Sequence, residues 1–160
     1  MFLKPTYSSP GDLTTLDIDL LCNDGIKGLI LDLDSTLMEP KSGKLTPQVE
    51  QWLAGARGRL KMVVLTNNHR QSYIDNASKV LNMEVIGHAA KPWRQGFRQA
   101  LAILELPPDS VAVVGDRPLT DIWGGVLSDM RTVLVRPLST IVEPSIKTFC
   151  RNLEHVFIRR

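Results

Sequence analysis

The chain alternates between short, continuously apolar runs and longer stretches in which apolar residues recur every three or four positions. The runs fall at 28–33, 61–65, 84–87, 111–114 and 132–135, the pattern of buried strands. Helical stripes separate them. Leu16 and Leu20 mark the inward side of a short helix within 13–23, which ends at Asn23-Asp24-Gly25. Thr46 supplies a hydroxyl cap and Pro47 the first helical position, predicting a helix that runs to Arg57 and stops at Gly58. Asn68 to Gln71 resembles a capping box opening a helix with Tyr73, Ile74, Ala77, Val80 and Leu81 on one stripe. Further stripes carry Trp93, Phe97, Ala100, Leu101 and Leu104, then Leu119, Ile122, Trp123, Val126, Leu127 and Met130.

Strands that are apolar throughout and alternate with helices predict an α/β fold. It is a three-layer, Rossmann-like parallel sheet of about five strands with helices on both faces. The length, 160 residues, suits a single domain spanning 1–160. Pro5, Pro10 and Gly11 make residues 1–12 an irregular N-terminal arm. At the other end, 144–158 reads as an amphipathic helix with Ile146, Phe149, Cys150, Leu153 and Phe157 in its stripe.

Composition changes this picture in one respect. Net charge is +2, but residues 131–160 hold six Lys/Arg against Glu143 and Glu154, leaving 13 Lys/Arg against 15 Asp/Glu in the preceding 130. A basic end beside an acidic body suits either a solvated helix face or contact with an anionic surface such as a membrane. Two cysteines without a C-x-x-C pair supply no zinc site or disulfide framework. No apolar run is long enough to span a bilayer, and the first dozen residues lack a secretory apolar core. The expected location is therefore cytoplasm or an organelle interior, with peripheral contact at an inner membrane face. Nucleic acid is not an expected partner, and nothing in the sequence specifies an oligomeric state.

The chemistry gathers where the apolar runs end. Asp32, Asp34 and Thr36 follow the first run at spacing two, which on extended backbone points all three to one face. Carboxylates bunched at the mouth of a buried strand repel one another unless a cation or proton offsets them. The second run ends in Thr66-Asn67-Asn68, the third is followed by Lys91-Pro92, and the fourth by Gly115-Asp116 with Asp121 five residues on. In a parallel sheet these loops converge on one rim, where ligands of such sheets bind. The inventory suits phosphoryl transfer through an aspartyl-phosphate. Asp32 is the expected nucleophile and Asp34 the general acid and base. Mg²⁺ is the expected cofactor, on Asp32, Asp116 and the Asp34 carbonyl, with Asp121 in support. Thr66, the Asn67 amide and Lys91 would neutralise phosphate oxygens. Blander roles compete: Asp121 suits a first helical turn on dipole grounds alone, and Trp93 suits core packing beside Arg94 and Arg98. Arg70 and Arg117 lie next to motif residues as candidates for a second phosphate.

Taken together, D-L-D-S-T at 32–36, T-N-N at 66–68, K-P at 91–92 and G-D-x4-D at 115–121 resemble the four ordered motifs of the haloacid dehalogenase (HAD) superfamily of phosphatases. The resemblance covers Gly28 to Val135. The N-terminal LKP, the phrase GIKGLILDLDSTL and the GDRPLTDIWGG segment are similar to the YqeG-type branch of capless HAD phosphatases. That branch is linked to removal of the terminal phosphate of phosphatidylglycerophosphate, which leaves phosphatidylglycerol. Ser35 departs mildly from it, standing where asparagine is frequent. The resemblance implies a Mg²⁺-dependent phosphomonoesterase, an anionic phospholipid headgroup as substrate, and no cap domain, since 37–46 is too short to hold one. A soluble phosphomonoester (sugar phosphate, nucleotide or phosphoprotein) is the alternative substrate, and a metal-binding module without activity is the third reading.

Overall fold

Strand β2 (Gly28–Leu31) is buried along its whole length and lies near the middle of a six-stranded sheet. The computed structural model describes residues 3–138 and 145–158. The other strands are β1 (Tyr7–Ser8), β3 (Lys61–Leu65), β4 (Val85–Ile86), β5 (Val111–Gly115) and β6 (Arg131–Leu134), and all neighbours pair in parallel in the order β1-β6-β5-β2-β3-β4. The helices are α1 (Ile18–Asn23), α2 (Pro47–Ala56), α3 (Gln71–Leu81), α4 (Arg94–Leu104), α5 (Trp123–Leu127) and α6 (Ser145–His155).

Alternate strand residues feed two cores, one on each face of the sheet. Leu29, Leu31, Val64, Ala112 and Val114 pack with residues of α2 and α3. Ile30, Val63, Leu65, Val111 and Val113 pack instead with Phe97, Ala100 and Leu104 of α4. The three-layer parallel fold expected from the sequence is therefore present, with six strands in place of about five. The extra strand comes from the N-terminal arm, where Tyr7 and Ser8 pair with Val133 and Leu134 between the two prolines. An outer strand of two residues needs few ladder hydrogen bonds, so prolines on either side do not forbid it.

Element boundaries follow local chemistry. Thr46 caps α2 through a bond from the Val49 amide, with Pro47 inside the first turn. The segment 13–23 is not one helix. A 3₁₀ turn at Leu13–Thr15 gives way to α1, restarted by the Asp17 side chain, which accepts from the Asp19 and Leu20 amides. The restart shifts the helical phase, so Leu21 is buried and Leu20 is exposed, the reverse of the expectation for Leu20. At α3 the capping box does not form. Asn68 Oδ1 instead accepts from the Arg70 amide at 2.9 Å, and Gln71 turns to Asp75. Trp93 stands just ahead of α4 and is 65% exposed, so it is not the core residue its spacing suggested.

The path of the chain places the site. From β2 it winds outward through β3 and β4, then returns to the other side of β2 for β5 and β6. The switch lies between β2 and β5, and the crevice outside their carboxyl ends is where such a sheet binds ligands.

Candidate active site

Register decides which side chains meet. Leu31 pairs with Val114 on one side and Val64 on the other, and the Asp32 amide donates to the Val114 carbonyl at 2.9 Å. Asp32 therefore emerges between the ends of β5 and β3, flanked by Asp116 and Thr66. Carboxylate oxygens of Asp32, Asp116 and Asp121 all lie within 4.8 Å of one another. Asp116 is 0% and Asp121 1% exposed. Gly115 makes this approach possible: a Cβ there would stand 2.3 Å from the Asp121 carboxyl carbon.

Lys91 ties the cluster together. Its Nζ donates to Asp32 Oδ1 at 2.5 Å and Asp121 Oδ1 at 2.7 Å, and it is 8% exposed. Burial alone would lower its pKa, but the charges of Asp121 and Asp32 outweigh that and hold the ammonium protonated. Asn67 positions the lysine by a double clasp on its backbone, Oδ1 accepting from the Lys91 amide at 2.7 Å and Nδ2 donating to its carbonyl at 3.2 Å. Thr66 is buried at the end of β3, and its Oγ1 accepts from the Asn68 amide at 3.1 Å. Thr36 lies with its hydroxyl 3.3 Å from Asp32 Oδ2 and 3.4 Å from Asp116 Oδ1.

Asp34 stands apart from the acidic cluster. Strand β2 stops at Leu31, and the chain turns sharply at Ser35, whose φ is +71°. The Asp34 carboxylate faces the Tyr73 hydroxyl, which donates to Oδ1 at 2.9 Å. Burial raises the Asp34 pKa, the Tyr73 bond opposes the rise, and the Asp32 charge adds to it. Such a carboxyl holds a proton more readily than a solvated one, as a general acid requires.

The donor set fits a hard divalent cation. Three carboxylates and no nitrogen or sulfur ligand converge, the preference of Mg²⁺. Burial, with mutual repulsion, raises the pKa of Asp116 and Asp121. Asp116 Oδ2 accepts no hydrogen bond although a guanidinium nitrogen of Arg151 is 2.7 Å away, an ion pair without hydrogen-bond alignment. Three carboxylates against Lys91 and Arg151 leave the cluster short of positive charge.

The family model of HAD-like hydrolases matches residues 88–137. The Bacillus subtilis protein named "Probable phosphatase YqeG" is 31% identical over 115 residues, covering 72% of this chain and 67% of that protein. The chain belongs to the HAD-like hydrolases. It is a HAD-type phosphatase. The chloroplastic phosphatidylglycerophosphate phosphatase 1 of Chlamydomonas reinhardtii is 31% identical over 165 residues, covering 98% of this chain, which spans 61% of that relative's length. Among solved structures, the HAD-hydrolase YfnB of Bacillus subtilis bound to magnesium shares the fold at a TM-score of 0.57 and 10% identity, covering 75% of this chain and 91% of that one.

Within this rim the structure brings together Asp32, Asp116, Asp121, Lys91, Thr66 and Asn67. It adds three residues that the motifs do not contain. Tyr73 reads as a core residue in its stripe, yet its hydroxyl reaches Asp34. Arg151 and Glu154 come from α6, which packs on the turn 118–122. Glu154 accepts from Arg117, so one of the two arginines considered for a second phosphate is already engaged. The only sequence hint of this pair is the i, i+3 spacing of Arg151 and Glu154, which puts both on one side of a helix.

Proposed function

We propose that this phosphatase removes the terminal phosphate of phosphatidylglycerophosphate through an aspartyl-phosphate on Asp32. The observation that carries the reading is the Asp32 carboxylate itself: held by Lys91, touched by Thr36, and packed against Asp116 and Asp121 at the rim. A carboxylate locked in this way keeps a fixed line of attack on phosphorus. The resemblance to phosphatidylglycerophosphate phosphatases supports the lipid substrate. The short 37–46 link, which leaves the rim open to a bulky headgroup, supports it too.

An Asp32 oxygen attacks phosphorus as the bond to the alcohol oxygen breaks, and Asp34 gives that oxygen its proton. Asp34 then takes a proton from water, whose oxygen attacks phosphorus and breaks the bond to Asp32, releasing inorganic phosphate. Lys91, the Thr66 hydroxyl and the Asn67 amide face the phosphoryl oxygens. Asp32, Asp116 and the Asp34 carbonyl would hold Mg²⁺, with Asp121 supporting it. The ion supplies charge neutralisation at the phosphoryl oxygens when bound.

Helix α6 suits work at a membrane surface. Phe149, Leu153, Val156 and Phe157, in and just after it, are exposed at 67%, 54%, 65% and 41%. Among the described residues no helix is long and apolar enough to cross a membrane, so the contact in this reading is peripheral.

Phosphate release from phosphatidylglycerophosphate in mixed micelles, beside a panel of sugar phosphates, nucleotides and an aryl phosphate, tests the proposal. Expected is Mg²⁺-dependent turnover that favours the lipid and is lost in Asp32→Asn. Good turnover of soluble phosphates without release from the lipid overturns the substrate assignment. No turnover of any ester overturns the mechanism.

A further inference from the structure

Two cavities meet at the rim. The catalytic one, of about 270 Å³, is lined by Asp32, Asp34, Thr66 and Lys91 among others. Beside it opens a second, of about 330 Å³, lined by Lys41, Arg70, Ser72, Tyr73 and Asn76. Lys41 and Asn68 line both, so the two are neighbours across a shared wall.

Asp34 shows which part of a substrate this second cavity faces. In an in-line displacement the nucleophile and the leaving oxygen lie on opposite sides of phosphorus, so a group that protonates the leaving oxygen marks where the alcohol departs. In the reading above Asp34 is that group, and Tyr73, whose hydroxyl donates to it, is part of the second cavity's wall. The alcohol half of the substrate is therefore directed there.

The wall is chemically one-sided. No aspartate or glutamate lines it, while Lys41 and Arg70 do, both exposed and neither in an ion pair among the described residues. It is also anchored. Asn76 Nδ2 donates to the Gly43 carbonyl at 3.2 Å, fixing the loop that carries Lys41 onto α3. Arg70 is held at the start of α3 by the bond from its amide to Asn68. Arg117, which lines the catalytic cavity, is occupied by Glu154.

We propose that this cavity is a subsite for a second anionic group on the alcohol half of the substrate, held by Lys41 and Arg70. The inference rests on the phosphatase reading above and deepens it: for the lipid named there, the second group is the phosphodiester. A guanidinium matches two oxygens of such a group, and an ammonium adds a point charge. Esters lacking a second anion use the catalytic cavity alone.

Glycerophosphoglycerol, a phosphodiester without a phosphomonoester, is the probe, tested as an inhibitor of aryl phosphate hydrolysis. Inorganic phosphate, which reports on the catalytic cavity, is the reference inhibitor. Expected is inhibition of the wild-type enzyme by the diester, weakened about tenfold or more relative to phosphate in Lys41→Ala and in Arg70→Ala, with partial recovery in Arg70→Lys. Failure of the diester to inhibit, or equal weakening of both inhibitors, overturns the subsite while leaving the phosphatase reading intact. A wild-type enzyme inert toward the aryl phosphate overturns both. A further arm separates headgroup from bilayer: kcat/KM for phosphatidylglycerophosphate in micelles and for its deacylated, water-soluble headgroup. Loss on both in Arg70→Ala supports the subsite, and loss confined to the lipid overturns it in favour of a membrane contact.

Discussion

Asp32 and Asp34 are two positions apart, yet the structure gives them unlike surroundings. Asp32 touches Lys91 and Thr36, whereas Asp34 meets the Tyr73 hydroxyl. An aspartate held in place by an ion pair with a lysine suits attack, and one whose pKa is raised by burial suits proton transfer. Asp34→Asn is expected to lower kcat/KM, which reports formation of the aspartyl-phosphate and not its hydrolysis, by roughly two to four orders of magnitude on an alkyl phosphate. On an aryl phosphate, whose leaving oxygen needs little protonation, the loss should be much smaller, and a comparison of the two esters checks it. Equal losses would remove Asp34 from the acid role. Tyr73→Phe is expected to follow the same leaving-group pattern more weakly, because Tyr73 positions the acid and does not meet the phosphoryl group. Ser35 also acquires a reason at this scale. Its left-handed backbone is a conformation that asparagine tolerates better than most residues, and asparagine is the residue the family resemblance leads one to expect here.

Among the elements, α6 departs furthest from expectation. Its spacing predicted an apolar stripe, and such a stripe ordinarily packs inward. Here the polar side turns inward: Glu154 is buried against Arg117, and Arg151 reaches Asp116, while Phe149 and Leu153 face out. Arg151 thus occupies part of the charge balance that a divalent cation would restore. Arg151→Ala is expected to tighten Mg²⁺ binding by about tenfold or more, given the energy of like charges a few ångströms apart. Calorimetric titration of the cation checks this without reference to turnover. The outward face leads to a separate expectation. Replacing Phe149, Leu153 and Val156 with serine should reduce sedimentation with anionic vesicles while leaving hydrolysis of a soluble aryl phosphate largely intact.

At the scale of the whole molecule, one sheet with a single switch point gathers residues 32, 66, 91 and 116 from four separate loops. The site is only as rigid as the layers that back it. Phe97, fully buried on α4, lies against Gly124 so closely that a Cβ there would stand 2.3 Å from its ring. Gly124→Ala is expected to cost about 1–3 kcal/mol through overpacking, measured by urea unfolding. Because the backbone of Pro92 lies 3.3 Å from the same point, the strain should also disturb the Lys91 loop and lower kcat/KM.

Much of this was open to reading from the sequence by itself. Apolar runs such as KMVVL and VAVVG, too short for helices, read as strands of a sheet covered on both faces, and the motif residues stand at their ends, so the fold follows from local pattern. Tyr73, Arg151, Glu154 and the second cavity did not follow. Periodicity says which side of a helix is apolar, but not whether that side finds a surface to cover it. Leu20, Trp93 and, on α6, Phe149 and Leu153 all lacked one. Only the docked arrangement decides which of α6's faces meets the sheet's rim, because ion pairs to Asp116 and Arg117 form between residues 35 and 37 positions apart, beyond the reach of any local rule.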